Sequence, residues 1–142
     1  MKPFLTPAEE ESLVAAIREQ EARASGDIRV CLSNKFVWRH ERLAWKMFDQ
    51  LGMRNTRHRN AALIVMLPLR RRFMVLGDSG LCAVVSPGYW EEIAAVMSQH
   101  MRNGRRLDAL REGIRRLGDT MAAHWPRQED DRNDLPDEIL QD

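Results

Sequence analysis

The sequence predicts an α/β fold: a three-layer α/β/α sandwich with a small mixed β-sheet flanked by helices. Two strand-like apolar runs, residues 28–32 and 61–67, are separated by an amphipathic segment, which predicts a βαβ unit with parallel strands and a right-handed crossover. A third run, residues 72–76, follows after a short turn and should pair antiparallel as a hairpin. Helical segments before, within and after these strands can cover both faces of the sheet.

Four helices are expected. The first opens with Thr6 and Pro7, where Glu9 completes a capping box, and it ends at Ser25-Gly26. The second spans roughly residues 39–51 and carries an apolar stripe that ends in Met47, Phe48 and Leu51. The third starts at Ser86-Pro87 and is interrupted by Gly104, and the last runs to Trp125, where Pro126 stops it.

The strands differ in their patterns. Apolar and polar residues alternate from Ile28 to Leu32, which predicts a strand with one buried face. The run at 61–67 is apolar without alternation, which is typical of a central strand buried on both faces. The strand at 72–76 is ended by the turn-forming residues 77–80, and residues 81–85 form a weaker extended run.

Charge divides the chain into two parts. The 142 residues carry a net charge of +1, but residues 126–142 alone carry −5, so the rest carries +6. An acidic end of this kind is usually solvated. We therefore expect a domain at 1–126 and an acidic C-terminal tail at 127–142, whose removal should leave a folded protein.

Several classes of protein are disfavoured. The N-terminus has no apolar leader, and no apolar run approaches the roughly 18 residues of a membrane span, so a cytoplasmic location is expected. Cys31 and Cys82 lie in apolar runs and are interpreted as buried thiols, and the four histidines show no metal-ligand spacing. Phosphate-binding and dinucleotide-binding glycine motifs are absent.

Basic residues flank the central run, at 54–59 before it and at 70–72 after it. A strand between them would separate the two groups by roughly 25 Å. No aromatic residues interleave with either group along the sequence, although a single-strand binder would use them for stacking. Solvated strand ends are the simpler interpretation, so no nucleic acid is expected as a partner.

The loop Gly77-Asp78-Ser79-Gly80 is the best candidate for a site. Its two glycines permit a close approach of a ligand to the backbone, and Asp78 would lie at a strand end, where α/β proteins often hold cations or phosphates. The alternative is a plain turn, since glycine, aspartate and serine favour turns for local reasons.

Several motifs occur in an order that is found in one family of small domains. Residues 25–30, SGDIRV, resemble a "SGEIRV" strand entry, and Thr56, Arg59 and Asn60 follow a "T-x-x-R-N" turn. Residues 72–81 follow "RxF…GDxGI", and residues 133–139, NDLPDEI, are similar to a closing "NELPDEI". With the opening helix, Trp90 and the C-terminal helices, the chain resembles the short, soluble bacterial members of the TPM domain family over nearly its whole length.

The resemblance implies an α/β/α sandwich and leaves two classes of function open. In the first, the domain is a non-enzymatic binding or regulatory module that holds Ca²⁺ or Mg²⁺ through Asp78, Asp27, Thr56 and Asn60, whose oxygens suit these cations. The resemblance also implies a membrane protein of the LemA type as a partner. In the second, it is a metal-assisted acid phosphatase acting on phosphomonoesters, as thylakoid-lumen members are described, with Arg59 stabilising the phosphate. No nucleophile stands out, which favours the module.

Overall fold

The computed structural model describes residues 3–36, 38–128 and 139–141, and it confirms the predicted α/β/α sandwich. A four-stranded mixed sheet has the order β3-β2-β1-β4, with helices on both faces. The strands are β1 (Ile28–Leu32), β2 (Ala62–Leu67), β3 (Arg72–Gly77) and β4 (Ile139–Gln141). The helices are α1 (Pro7–Glu21), α2 (His40–Gln50), α3 (Ser79–Cys82), α4 (Tyr89–Arg102) and α5 (Arg106–His124), and a 3₁₀ turn spans Pro68–Arg70.

Local chemistry sets the start of α1 as predicted, but the predicted end is wrong, because α1 stops at Glu21, four residues before Ser25. The Thr6 hydroxyl accepts a hydrogen bond from the Glu9 amide, and the Glu9 carboxylate accepts one from the Thr6 amide, which completes the capping box of α1. The helix α4 begins three residues later than expected, after Gly88 with φ +85°. Gly104, with φ +72°, separates α4 from α5.

Alternating side chains on the strands build two cores, one on each face of the sheet. On one face, Val30, Ile64 and Val75 pack against α1, α4 and α5. On the other face, Leu63, Val65 and Leu76 pack against Phe48 and its neighbours in α2. Every residue of β2 is buried, as the unbroken apolar run predicted.

Register brings three strand ends to the same edge of the sheet. The strands β1 and β2 are parallel with Ile28 opposite Ala62, and β3 is antiparallel to β2 with Gly77 opposite Ala62. Residues 27, 61 and 78 therefore lie side by side. We call this the amino edge, where β1 and β2 begin and β3 ends, and the opposite side the carboxyl edge.

The prediction that β1 has only one buried face is wrong. All five of its residues are buried, including Arg29, which is 5% exposed. The guanidinium of Arg29 lies beneath the end of α2 and donates a hydrogen bond to the carbonyl oxygen of Leu51, 3.2 Å away. A charged side chain can thus occupy the second face because a helix end supplies an acceptor.

The extended run predicted at 81–85 is wrong as well, since α3 begins at Ser79. The carboxylate of Asp78 accepts a hydrogen bond from the Ser79 amide at 2.7 Å and caps this turn. Helical geometry turns Cys82 outwards, so it is exposed rather than buried, and its thiol donates to the carbonyl oxygen of Gly77 at 3.3 Å. Cys31 is buried, as predicted.

The sequence did not predict β4. Ile139 pairs with Val30 and Gln141 with Leu32, parallel to β1, and Ile139 and Leu140 contact the two cores. Residues 129–138, including Leu135, lie outside the described residues. The tail therefore contributes one short strand, which is the outermost strand of the sheet beside β1.

Deletion of residues 128–142 is still expected to leave a cooperatively folded domain. The strand β4 is three residues long and none of them is fully buried, so the loss in free energy of unfolding should be at most about 1–2 kcal/mol. The deletion also uncovers the edge of β1, so the truncated protein should self-associate more readily. Urea denaturation and sedimentation measure the two effects, and a melt without cooperativity would show that the tail belongs to the folding unit.

Candidate functional site

The loop Gly77-Asp78-Ser79-Gly80 lies at the amino edge, where β3 passes into α3. The backbone amide of Asp78 donates to the carbonyl oxygen of Ala61 at 3.0 Å, which continues the pairing of β3 with β2 for one residue. The Asp78 side chain points inwards and the residue is only 1% exposed. A buried carboxylate needs partners for its charge, and these define the site.

Two arginines hold the carboxylate of Asp78. Arg59 Nε donates to one oxygen and Arg54 Nη1 to the other, both at 3.0 Å. The oxygen bonded to Arg54 also accepts the Ser79 amide. Protein donors therefore engage both oxygens, and the negative charge is offset on two sides.

Besides Asp78, Arg54 contacts Asp49 at the surface and two aromatic rings of α2. Its Nε donates to Asp49 at 2.7 Å, and its guanidinium lies over the rings of Phe48 and Trp45, at 5.2 and 5.7 Å from their centroids. The hydrogen bond to Asp49, with the charges of Asp49 and Asp78, raises the pKa of Arg54 above its ordinary value. Four neighbours thus orient its half-exposed guanidinium beside Asp78.

Backbone contacts lock the loop against the turn at residues 56–60. The amide of Gly80 donates to the carbonyl oxygen of Arg59 at 2.8 Å. A Cβ at Gly80 would overlap the carbonyl oxygen of His58, so only glycine permits this approach. Arg59 itself has φ +52°, an uncommon conformation for a residue with a side chain. The strained turn brings its side chain to Asp78.

The other predicted cation ligands also lie at the amino edge. The Thr56 hydroxyl accepts the Asn60 amide at 3.3 Å, and the Asn60 side chain donates to the carbonyl oxygen of Ser25. Asp27 is 2% exposed and its backbone carbonyl accepts the Ala62 amide at 2.9 Å. The structure thus places all four residues, Asp27, Thr56, Asn60 and Asp78, at one edge, with Asn60 turned towards Ser25 and Asp78 towards the arginines.

Within the part of the chain that the structure describes, no three histidine, cysteine, aspartate or glutamate side chains are grouped closely enough to hold a metal ion. A cation at this edge would need the neutral oxygens of Thr56 or Asn60 in addition to carboxylates. Sequence reasoning found Asp78 and Arg59 but missed Arg54 as a partner of Asp78. The two lie 24 positions apart, and no local pattern signals the contact.

None of the helices in the described ranges has the length and apolar character required to cross a membrane. The basic residues at 54–59 and 70–72 lie at opposite ends of β2, as predicted.

Comparison with solved structures finds similarity over the full length of the chain. The BA42 protein from the psychrophilic bacterium Bizionia argentinensis is 32% identical, with a TM-score of 0.92 over 100% of this chain and 98% of that chain. An N-terminal domain from P. gingivalis is 22% identical, with a TM-score of 0.66 over 86% of this chain and 79% of its own. The N-terminal domain of cg2496 from Corynebacterium glutamicum is 12% identical, with a TM-score of 0.66 over 91% and 80%. The last two show the fold alone.

Comparison with curated proteins finds no match. The sequence profile of the TPM domain matches residues 2–120, which include α1, the sheet strands β1 to β3 and the loop around Asp78. Because this match spans most of the chain, the chain belongs to the TPM domain family.

Proposed function

We propose that this chain is a non-enzymatic binding module and that Asp78 organises its amino edge. The observation that carries this proposal is the engagement of both Asp78 oxygens by Arg54, Arg59 and the Ser79 amide. A nucleophile or general base must present an oxygen, nitrogen or sulfur atom to the substrate. Asp78 is instead directed into the protein. A partner of the LemA type is part of the proposal on family resemblance alone, and a cytoplasmic location is carried over from the sequence expectation.

A divalent cation would bind at the amino edge by displacing an arginine side chain from the Asp78 carboxylate. Asp78 and Asp27 offer carboxylate oxygens, and Thr56 and Asn60 offer neutral ones, which suits Ca²⁺ or Mg²⁺. The two positive charges beside Asp78 compete with a cation for the same oxygens. The side chains of Arg54 and Arg59 are 43% and 50% exposed, so each can turn into solvent when a cation replaces it.

Exchange predicts opposite effects for two substitutions. Asp78→Asn should weaken Ca²⁺ or Mg²⁺ binding by about tenfold or more, because a ligand charge is lost. Arg59→Gln should strengthen it by up to about fivefold, because one competing charge is removed. Isothermal titration of the purified, metal-free protein measures both affinities.

Asp108→Asn is the matched control, since Asp108 is an exposed carboxylate in the first turn of α5. It should leave the affinity unchanged. Equal affinities for the wild type and Asp78→Asn would rule the loop out as the cation site. An Arg59→Gln protein that binds no more tightly than the wild type would contradict exchange.

The alternative function is a metal-assisted acid phosphatase. One observation favours it: two half-exposed guanidinium groups converge beside Asp78, and pairs of arginines hold phosphate oxygens well. Arg59 would then stabilise the phosphate. Ser79 supplies an exposed hydroxyl, but in the ranges that the structure describes no side chain is hydrogen-bonded to it as a base.

We expect turnover of generic phosphomonoesters to be absent or very slow. Any trace should persist in Ser79→Ala and Asp78→Asn, because it would come from a contaminant. A phosphatase assay with defined Mg²⁺ or Ca²⁺ measures this. Metal-dependent turnover of about 1 s⁻¹ or faster that disappears in Asp78→Asn would instead establish the phosphatase.

A further inference from the structure

We propose that the carboxyl edge of the sheet docks on the surface of an anionic lipid bilayer. This inference is independent of the amino-edge site. In the described ranges, the large apolar side chains that are most exposed are Trp38 at 76%, Phe36 at 58% and Leu69 at 46%. All three lie in the loops that follow β1 and β2, and these loops are neighbours because Leu32 pairs with Met66 in the parallel ladder.

One arginine gathers the two loops into a single cluster. Phe36 and Trp38 are in edge-to-face contact, with ring centroids 6.0 Å apart. The guanidinium of Arg70 lies 5.1 Å from the Phe36 ring and 4.4 Å from the Trp38 ring. We call Phe36, Trp38, Leu69 and Arg70 the aromatic tip. Folding thus places two aromatic rings against Arg70, although no aromatic residue lies beside it along the sequence.

The aromatic tip is surrounded by positive charge. Residues 34–42 and 68–72 together contain six lysine or arginine residues and a single acidic residue, Glu41. A cavity of about 550 Å³ is lined by Pro68, the residue before Leu69, and there the rings of Phe4 and Phe73 meet exposed arginines. These arginines are Arg71, Arg72, Arg102 and Arg106. An anionic, partly apolar molecule is the chemistry that this surface complements.

A bilayer surface fits this combination better than a nucleic acid. Tryptophan with arginine or lysine is the usual composition of segments at the membrane–water interface, where rings enter the headgroup region and cations contact anionic lipids. Bases stack on open aromatic faces, but Arg70 already covers a face of both rings. Leu69 offers no stacking surface, whereas it can enter a headgroup layer. Charge and shape therefore favour anionic lipid.

Vesicle cosedimentation of the full chain tests the proposal. At about 0.1 M salt, vesicles of phosphatidylcholine with one quarter phosphatidylglycerol should bind the protein at least about tenfold more strongly than pure phosphatidylcholine. Trp38→Ala should weaken binding to the anionic vesicles by about tenfold, and Arg71→Gln with Arg72→Gln by about twentyfold. These side chains are exposed, so far-UV circular dichroism melts should match the wild type.

Arg18→Gln is the control for loss of a positive charge elsewhere on the surface, because Arg18 is exposed near the end of α1 and not in either of the two loops. It should bind vesicles almost as the wild type does. Equal binding to neutral and anionic vesicles, absence of binding to both, or full binding by Trp38→Ala would each overturn the proposal. Tighter binding of a labelled single-stranded oligonucleotide than of anionic vesicles, lost in Trp38→Ala, would assign the surface to nucleic acid and equally overturn it.

Discussion

Gly80→Ala is expected to destabilise the protein by about 3 kcal/mol or more. The added Cβ would overlap the carbonyl oxygen of His58 and lie 2.7 Å from that of Arg59. Both atoms belong to backbone, so they cannot move aside as the end of a flexible side chain would. Two backbone hydrogen bonds also hold the loop in place: the Asp78 amide donates to the carbonyl oxygen of Ala61, and the Gly80 amide donates to that of Arg59.

Gly104→Ala is the matched control for this substitution. Gly104 has φ +72° and a Cβ added there would have nothing within 4 Å, so alanine meets only the cost of left-handed backbone, about 1–2 kcal/mol. Urea denaturation of both variants measures the difference. If Gly80→Ala costs no more than Gly104→Ala, the loop and the turn at 56–60 separate easily, and the site is not preorganised.

The contact at Gly80 also bears on the interpretation of the family motifs. The "GDxG" loop and the "T-x-x-R-N" turn meet through the Gly80 amide and the Asp78 carboxylate, and Asn60 extends the network to Ser25 in the "SG" motif. Three segments that are far apart in sequence thus form one hydrogen-bonded unit. These hydrogen bonds give the three motifs a structural role in holding the amino edge together.

Sequence reasoning succeeded where local chemistry decides the structure. The capping box of Thr6 and Glu9 sets the start of α1, and the uninterrupted apolar run at 61–67 marks the central strand. Sequence reasoning failed where contacts between residues far apart in sequence determine the structure. The burial of Arg29 depends on the carbonyl oxygen of Leu51, and β4 is too short to give a periodic signal before it pairs with β1.

The candidate site shows the same division. Asp78 could be found from its glycine neighbours, but the direction of its side chain could not, because it depends on Arg54 and Arg59, 24 and 19 positions away. Likewise, the aromatic tip arises because parallel strands bring Phe36 and Trp38 beside Arg70. Neither contact can be predicted from the spacing of these residues along the chain.

Phe48→Ala is expected to reduce the free energy of unfolding by about 3–5 kcal/mol, the range for removing a buried aromatic side chain. Phe48 is fully buried in the core between α2 and the sheet and is in edge-to-face contact with Trp45, with centroids 5.3 Å apart. Its ring also supports the guanidinium of Arg54, so the cavity should loosen the pair with Asp78.

Phe36→Ala is the control for that substitution, because the same atoms are removed from a side chain that is 58% exposed. It should cost less than about 1 kcal/mol. Chemical denaturation gives both values, and a cost for Phe48→Ala as small as that for Phe36→Ala would contradict the packing of α2. Loss of the Phe48 ring should loosen Arg54, which competes with a cation for Asp78, and leave Arg59 in place. The cation affinity of the folded Phe48→Ala protein should therefore rise, as is expected for Arg59→Gln. Loss of affinity instead would mean that Arg54 orients Asp78 for the cation rather than competing with it.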